Sequence, residues 1–248
     1  MNIMPPKSLL KSLGDYLVRL LVLIFFAVLV LPVQTVYAQK VATLEKVKGD
    51  VRVFKPGKTR GLKGRDGMAL FSKYVIKTTT AESFTDVAFT EGGTVRMMPN
   101  SEMTLASVEI SKGKLKAKID LITGKIFNVV DKLAENAYYE VTTRTATSGV
   151  KGTIFSAETT EQESVFMVKE GSVEAVNLEG VQQAVLVTDL MKTIVQAAQP
   201  PTEPVPLTPE EIAMFDILED FEEEAKSDIR EDVMESIKED IIEGMSSP

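Results

Sequence analysis

The sequence contains no cysteine and no histidine among its 248 residues. The missing cysteine excludes disulfide bonds, anchoring through a lipid-modified cysteine and thiolate chemistry. The missing histidine excludes imidazole acid and base catalysis, and without both residue types the common zinc sites cannot form. Carboxylates, lysines, tyrosines and hydroxyl groups remain for chemistry. We therefore expect no cofactor and no enzymatic activity.

Charge is distributed unevenly along the chain, whose formal net charge is -8. Residues 208–248 contain 15 acidic and 3 basic residues, a net charge of -12, whereas residues 39–207 carry a net charge of +2. Nucleic-acid binding requires concentrated positive charge. An acidic tail on a nearly neutral body therefore argues against a nucleic-acid partner.

The first 38 residues have the organisation of a secretory signal peptide. Lys7, Lys11 and Arg19 flank an apolar run from Leu20 to Leu31, and Ala38 offers a small residue at the cleavage position. The run is short for a membrane-spanning helix, and an uncleaved N-terminal anchor is the alternative. In both cases the basic flank places the rest of the chain outside the cytoplasm. We expect a protein of the periplasm or cell envelope, anchored to the membrane only if this segment is retained.

Residues 39–198 are predicted to form an all-β domain of short strands. Runs of β-forming residues alternate with glycine-containing turns at intervals of roughly a dozen residues, as in a sandwich, barrel or solenoid. Thr153–Glu158 and Ser164–Lys169 are predicted to form a hairpin, and Gly171 to turn the chain into a strand over Val173–Asn177. Two further strands are predicted within Gln183–Gln196.

Residues 143–173 resemble the signature of the FecR domain, a module of bacterial cell-envelope proteins, which reads T-P-x-A-x-x-G-V-R-G-T-x-F and then V-x-V-x-E-G-x-V. Arg144 replaces the usual proline, and Lys151 replaces the usual arginine and loses its bidentate geometry. The resemblance extends over about residues 41–177 and implies a β-roll or β-helix-like fold without catalytic residues. We interpret the motif as structural, with both glycines of the pair taking backbone angles closed to other residues. The motif residues are Thr143, Gly149, Val150, Lys151, Gly152, Thr153, Phe155, Glu170, Gly171 and Val173.

Beyond the domain, a proline-rich segment over residues 199–209 is predicted to be an extended linker that keeps the tail at a distance from the β-domain. Residues 210–248 are predicted to form an acidic helical tail that begins at an N-cap, Thr208, and Pro209. Four apolar residues of the tail are spaced four positions apart, which places them on one helical face, and they are candidates for binding a partner. They are Ile229, Val233, Ile237 and Ile241. Self-association, docking on the β-domain and capture by a basic partner stay open, as does a merely solubilising role.

Four lysines alternate with apolar residues and are expected to share one face of a strand. They are Lys112, Lys114, Lys116 and Lys118. One interpretation is a strip that binds an anionic envelope polymer, lipid head groups or an acidic protein. The other is a solvated edge strand whose lysines prevent edge-to-edge aggregation.

The sequence favours a non-enzymatic, exported FecR-type binding or scaffold module that contacts an envelope protein or polymer. Signalling is one setting, because the resemblance is to proteins that relay an iron-uptake signal to a sigma factor. A structural component of a surface or secretion system is the alternative. A hydrolase that uses two carboxylates is the rival from another class, although nothing in the sequence singles out a pair. The oligomeric state stays open.

Overall fold

Residues 39–111, 113–150, 152–179 and 183–218 are described by the computed structural model of the chain. The N-terminal segment and residues 219–248 lie outside this range, as do Lys112 and Lys151. The predictions for the signal segment and for the helical face that carries Ile229 are therefore not addressed by the structure. Within the described part of the chain, no helix is long and apolar enough to cross a membrane.

The described residues form seventeen β-strands and one short α-helix, which confirms the all-β class. The strands are β1 (Lys40–Lys48), β2 (Val51–Phe54), β3 (Leu62–Lys63), β4 (Met68–Phe71), β5 (Val75–Thr78), β6 (Phe84–Phe89), β7 (Gly93–Met97), β8 (Glu102–Ser111), β9 (Lys114–Val130), β10 (Tyr138–Thr142), β11 (Ala146–Val150), β12 (Thr153–Thr159), β13 (Glu163–Glu170), β14 (Ser172–Asn177), β15 (Ala184–Thr188), β16 (Met191–Gln196) and β17 (Val205–Pro206). Helix α1 spans Pro209–Ala213, and a 3-10 helix follows over Met214–Leu218.

The strands are arranged in two sheets that enclose one hydrophobic core. Sheet A has the order β4-β1-β6-β7-β9-β12-β13-β16-β17. Sheet B has the order β3-β2-β5-β8-β9-β10-β11-β14-β15. Among the described strands, all neighbours are antiparallel except β9 and β10. The chain passes from one sheet to the other after every one or two strands, which is the winding expected of a β-roll.

Strand β9 belongs to both sheets. Residues 114–123 pair with β8 and β10 in sheet B, and residues 124–130 pair with β7 and β12 in sheet A. The side chains that face the core belong to odd-numbered residues before the crossing, such as Leu115 and Ile119. After the crossing they belong to even-numbered residues, such as Ile126 and Val130. Gly124 at this point has a φ of +88°, and a Cβ there would lie 2.3 Å from the Ser101 hydroxyl oxygen. The crossing therefore requires a glycine.

Aromatic side chains from both sheets meet in the centre of the core. The Tyr139 ring packs edge to face against Phe155 and Phe89, with ring centroids 6.4 and 6.1 Å apart. Its hydroxyl donates a hydrogen bond of 2.7 Å to Asn128 Oδ1, so the buried polar atoms satisfy each other. Burial raises the pKa of Tyr139 well above its ordinary value. The signature residue Phe155 is thus part of the core, as predicted.

The two halves of the FecR-like signature contact each other at the start of the β12–β13 hairpin. Gly152 has a φ of +72°, and a Cβ there would lie 2.9 Å from the Lys132 Cα. A Cβ at Gly171 would lie 2.6 Å from the Gly152 carbonyl oxygen. The Thr153 hydroxyl donates a hydrogen bond of 3.0 Å to the Ser172 carbonyl. Gly152 therefore has the turn geometry that the sequence predicts.

Thr143, at the start of the signature, closes the turn between β10 and β11. Its hydroxyl donates to the Ala146 carbonyl at 2.9 Å and accepts from the Ala146 N–H at 3.1 Å. The Ser164 hydroxyl donates to Thr143 Oγ1 at 2.8 Å, which ties this turn to β13 of the other sheet. Arg144 is exposed at the second position of the turn. Proline is favoured at this position of tight turns, but its absence leaves the turn intact.

Residues 201–218, the C-terminal strap, lie on the outer face of sheet A. Leu207, Phe215 and Leu218 form a second buried cluster with Phe127 and Met167. Within the strap, β17 adds to the edge of sheet A beside β16. The expectation that the proline-rich segment keeps the following residues at a distance is therefore wrong for residues 201–218. Its prolines are compatible with this position because an edge strand does not need every N–H group for the ladder.

Charged groups fix the strap at two points. The buried Arg96 guanidinium donates to both carboxylate oxygens of Asp86, at 2.8 and 2.9 Å, and also to the Ile217 carbonyl. Lys192 forms an ion pair with Glu211, and this hydrogen bond holds the pKa of Glu211 below its ordinary value. The strap supplies the Ile217 carbonyl as a further acceptor for this buried guanidinium, so detaching the strap would remove a charge-assisted hydrogen bond.

Replacing Gly152 by valine is expected to destabilise the domain by more than the ~1 kcal/mol expected from glycine propensity alone, because valine is strained at this φ and its Cβ would overlap the Lys132 backbone. Thermal or urea unfolding measures the change. Gly149→Val is the matched control, since a Cβ at Gly149 meets no atom within 4 Å. Equal midpoints for the two variants would show that Gly152 is not needed for the turn.

A chain that ends at Leu207 is expected to be much less stable than one that ends at Leu218, because the first exposes Phe127 and Met167 by losing Phe215 and Leu218. Removing large buried side chains typically costs about 2–5 kcal/mol each. Urea unfolding of the two truncated chains and of the full chain gives the comparison. If the two truncations unfold at the same urea concentration, residues 208–218 of the strap contribute nothing to stability.

Candidate binding surface

The predicted lysine strip lies on the outer face of sheet B. Along β9, Leu115, Ala117 and Ile119 are buried, and the intervening lysines point away from the core. The alternation is as predicted, but β9 has β8 on one side and β10 on the other. The interpretation of the strip as an edge strand is therefore wrong. Lys112 lies outside the described residues, so the strip is seen at Lys114, Lys116 and Lys118.

Two of the three lysines contact neighbouring groups. The Lys114 ammonium donates to the Glu135 carbonyl at 2.9 Å. The Lys118 ammonium lies 3.3 Å from a carboxylate oxygen of Glu140 and 6.0 Å from the centre of the Tyr138 ring. The strip is therefore part of a mixed surface in which cations, carboxylates and an aromatic ring lie side by side.

Register extends this surface across five strands. Lys118 is paired with Glu140, Glu140 with Gly149, Gly149 with Glu174 and Glu174 with Leu186. Side chains at paired positions share one face of a sheet. The outer face of sheet B therefore presents a row in which two glutamates flank a glycine.

A hollow of about 420 Å³ lies over this row. Its walls include Tyr138 and Leu186, which are 39% and 61% exposed although both are large and apolar. Glu140 and Glu174 also line it, and Gly149 lies between them in the row. Beside the hollow, burial and the nearby Glu140 carboxylate raise the pKa of Asp120. The hollow combines apolar contact area with negative charge in an accessible position.

Gly149 does not have the turn role that the sequence predicts. It lies inside β11, pairs with a strand on both sides and does not have a left-handed φ. The chain between Val150 and Thr153 turns at Gly152, not at Gly149. Sequence reasoning missed the hollow, although β-strand parity offered a signal: Ser148 and Val150 are buried, so Gly149 between them must face outward.

Within the described residues, no group of three or more aspartate or glutamate side chains is placed to hold a metal ion. Several described acidic side chains instead pair with lysines or arginines, as Glu102 does with Lys77 and Glu158 with Lys125.

Comparison with protein families gives a match for residues 75–174 to the family described as FecR protein. Residues 75–174 therefore form a FecR domain. The match runs from β5 to β14 and includes the whole of β9 and most of the hollow. It excludes Leu186 and the C-terminal strap. The family resemblance of the signature is thereby confirmed.

Two solved structures are similar to part of the chain. Both are crystal structures, at 2.50 and 1.65 Å resolution, of a proposed anti-sigma factor from Parabacteroides distasonis ATCC 8503. The sequence identities are 17% and 18%, and the TM-scores are 0.47 and 0.45. The similarity covers 57% and 56% of this chain and 63% and 62% of those chains, less than two thirds of their length. No sequence among the curated proteins is significantly similar to this chain.

If the lysine strip binds anionic polymers, replacing Lys116 and Lys118 by glutamine is expected to weaken binding of dextran sulfate, and rising salt should weaken it further. Lys125 on sheet A gives the control substitution, Lys125→Gln. Affinity is measured by titration at low and high ionic strength. Equal affinity of the strip variant and the control would rule out this anion-binding role.

Proposed function

We propose that the protein is an exported binding module of the bacterial cell envelope and acts through contacts with another protein, in a signalling setting. The hollow on the outer face of sheet B is the observation that carries this proposal. Scattered exposed apolar side chains are normal, but apolar side chains gathered around a depression are typical of interaction sites. Tyr138 and Leu186 do so on a face that belongs largely to the FecR domain.

Export is supported by the sequence of the first 38 residues. Their basic flank, short apolar run and small residue at the cleavage position are typical of a signal peptide. A β-domain without cysteine needs no disulfide chemistry to fold in the periplasm. Retention of the segment would instead anchor the domain to the membrane.

A non-enzymatic role is favoured over a carboxylate-dependent hydrolase. Glu140 and Glu174 line the same hollow, with only β11 between their strands, so a pair of acids does exist. Glycoside hydrolysis, however, requires the two carboxyl groups to hold different protonation states around a bound sugar. Glu140 instead lies in an ion pair with Lys118, 3.3 Å from its ammonium group. If the protein hydrolysed an envelope glycan and Glu140→Gln abolished this activity, the hydrolase would be established instead.

The experiment that tests the binding role is chemical cross-linking of the full chain in envelope extracts, followed by mass spectrometry. We expect specific enrichment of one or a few proteins compared with an unrelated exported β-protein. A second chain that ends at Leu218 tests whether the residues beyond the strap, including Ile229, Val233, Ile237 and Ile241, recruit the partner. Failure to enrich any protein with the full chain would overturn the proposed function.

A structural component of a surface or secretion system is the alternative outcome of the same experiment. In that case the enriched proteins are subunits of one assembly, and they are recovered in fixed proportion. A regulator would instead recover a partner in amounts that change with the external signal.

A further inference from the structure

Gly149 has no reason within the fold to be a glycine. Its φ is not left-handed, and a Cβ at this position would meet no atom within 4 Å. A glycine in a strand weakens the strand by roughly 0.5–1 kcal/mol relative to alanine. Such a glycine often marks a position where a ligand or another chain approaches the backbone closely. Gly149 is the exposed residue between the two glutamates of the hollow.

The hollow has the dimensions and walls to receive one long side chain. Tyr138 and Leu186 stand on either side of the Gly149 backbone, on β10 and β15, and offer apolar contact to an aliphatic stem. Glu140 and Glu174 lie on the strands next to β11 at positions paired with Gly149, so the backbone of each is one strand spacing, about 4.8 Å, from the glycine. A cationic group lying over Gly149 can reach both.

The surface already binds a cation of its own in this way. The Lys118 ammonium lies 3.3 Å from the Glu140 carboxylate and 6.0 Å from the centre of the Tyr138 ring, over its face. Aromatic faces attract cations, and arginine forms such cation–π contacts more often than lysine. A planar guanidinium can also lie flat against an exposed backbone, and its rigid fork of five N–H donors can reach carboxylates on both sides. An ammonium group is a compact point charge with three donors and no planar face.

We propose that the hollow over Gly149 is a docking site for an arginine side chain of the protein partner. This inference rests on the proposed function and names the chemistry by which the partner is recognised. The arginine stem packs between Tyr138 and Leu186, and its guanidinium lies over Gly149 between Glu140 and Glu174.

The test uses the full chain and the capped peptide acetyl-Ala-Ala-Arg-Ala-Ala-amide, with binding followed by ligand-observed NMR. We expect the same peptide with citrulline, the neutral isostere of arginine, to bind about tenfold more weakly or not at all, because charge-assisted bonds are lost. The lysine peptide should fall between them. Equal binding of the arginine and citrulline peptides would overturn the proposal.

Gly149→Val is the decisive variant, because stability and binding are expected to move in different directions. Valine is a good strand residue, and its side chain points into open space, so the melting temperature should stay the same or rise. The same side chain fills the floor of the hollow and should abolish binding of the arginine peptide. Undiminished binding to a folded Gly149→Val chain would show that the site lies elsewhere.

Charge is tested by Glu174→Gln, with Glu109→Gln as the matched control on β8 of the same face. The first should weaken binding of the arginine peptide by about tenfold, and the second should leave it unchanged. The hollow would instead be a sugar site if the unaltered chain bound a neutral oligosaccharide but not the arginine peptide, and if Gly149→Val abolished binding of the oligosaccharide. If the Gly149→Val chain still cross-links to the envelope protein, the proposed binding function is supported. The same result would show that the arginine site is wrong.

Discussion

The fold depends on one strand that has to serve two sheets. β9 lies at the centre of sheet B with its first ten residues and at the centre of sheet A with its last seven. Four described strands stand on each side of it in each sheet. The crossing fixes which residues face the core in both sheets, because the parity of buried positions changes at Gly124. It therefore also determines that the lysines face outward on sheet B and that Phe127 faces outward on sheet A.

The two outer faces are used differently. On sheet A, outward apolar residues such as Phe127 and Met167 are covered by the C-terminal strap, so this face is part of the folded structure. On sheet B, Tyr138 and Leu186 stay exposed around the hollow. The difference is physical: one face is covered by the chain itself, and the other keeps large side chains exposed. The buried Arg96 and Asp86 pair belongs to the covered face, where its third hydrogen bond goes to the strap.

The sequence predicted features that depend on local chemistry. The β12–β13 hairpin, the turn at Gly152 and the capped start of α1 at Thr208 were all readable from short motifs, and the structure contains them. Prediction from the sequence failed where a feature depends on contacts between residues far apart in the chain. Proline content could not reveal that residues 201–218 dock on Phe127, and alternation alone could not show that β9 is central. The hollow was missed because its walls come from β10 and β15, which only long-range pairing brings to one face.

The position of β9 also has a consequence for folding. Among the described strands, β1 to β8 hydrogen-bond only with each other and with β9, and the same is true of β10 to β17. The first eight strands can therefore pair among themselves as the chain grows, but β7 and β8 are left as open edges until β9 arrives. Unpaired strand edges are the regions of a nascent protein most exposed to aggregation. The rate at which β9 docks on those edges should then set the interval during which the emerging chain needs protection by a chaperone.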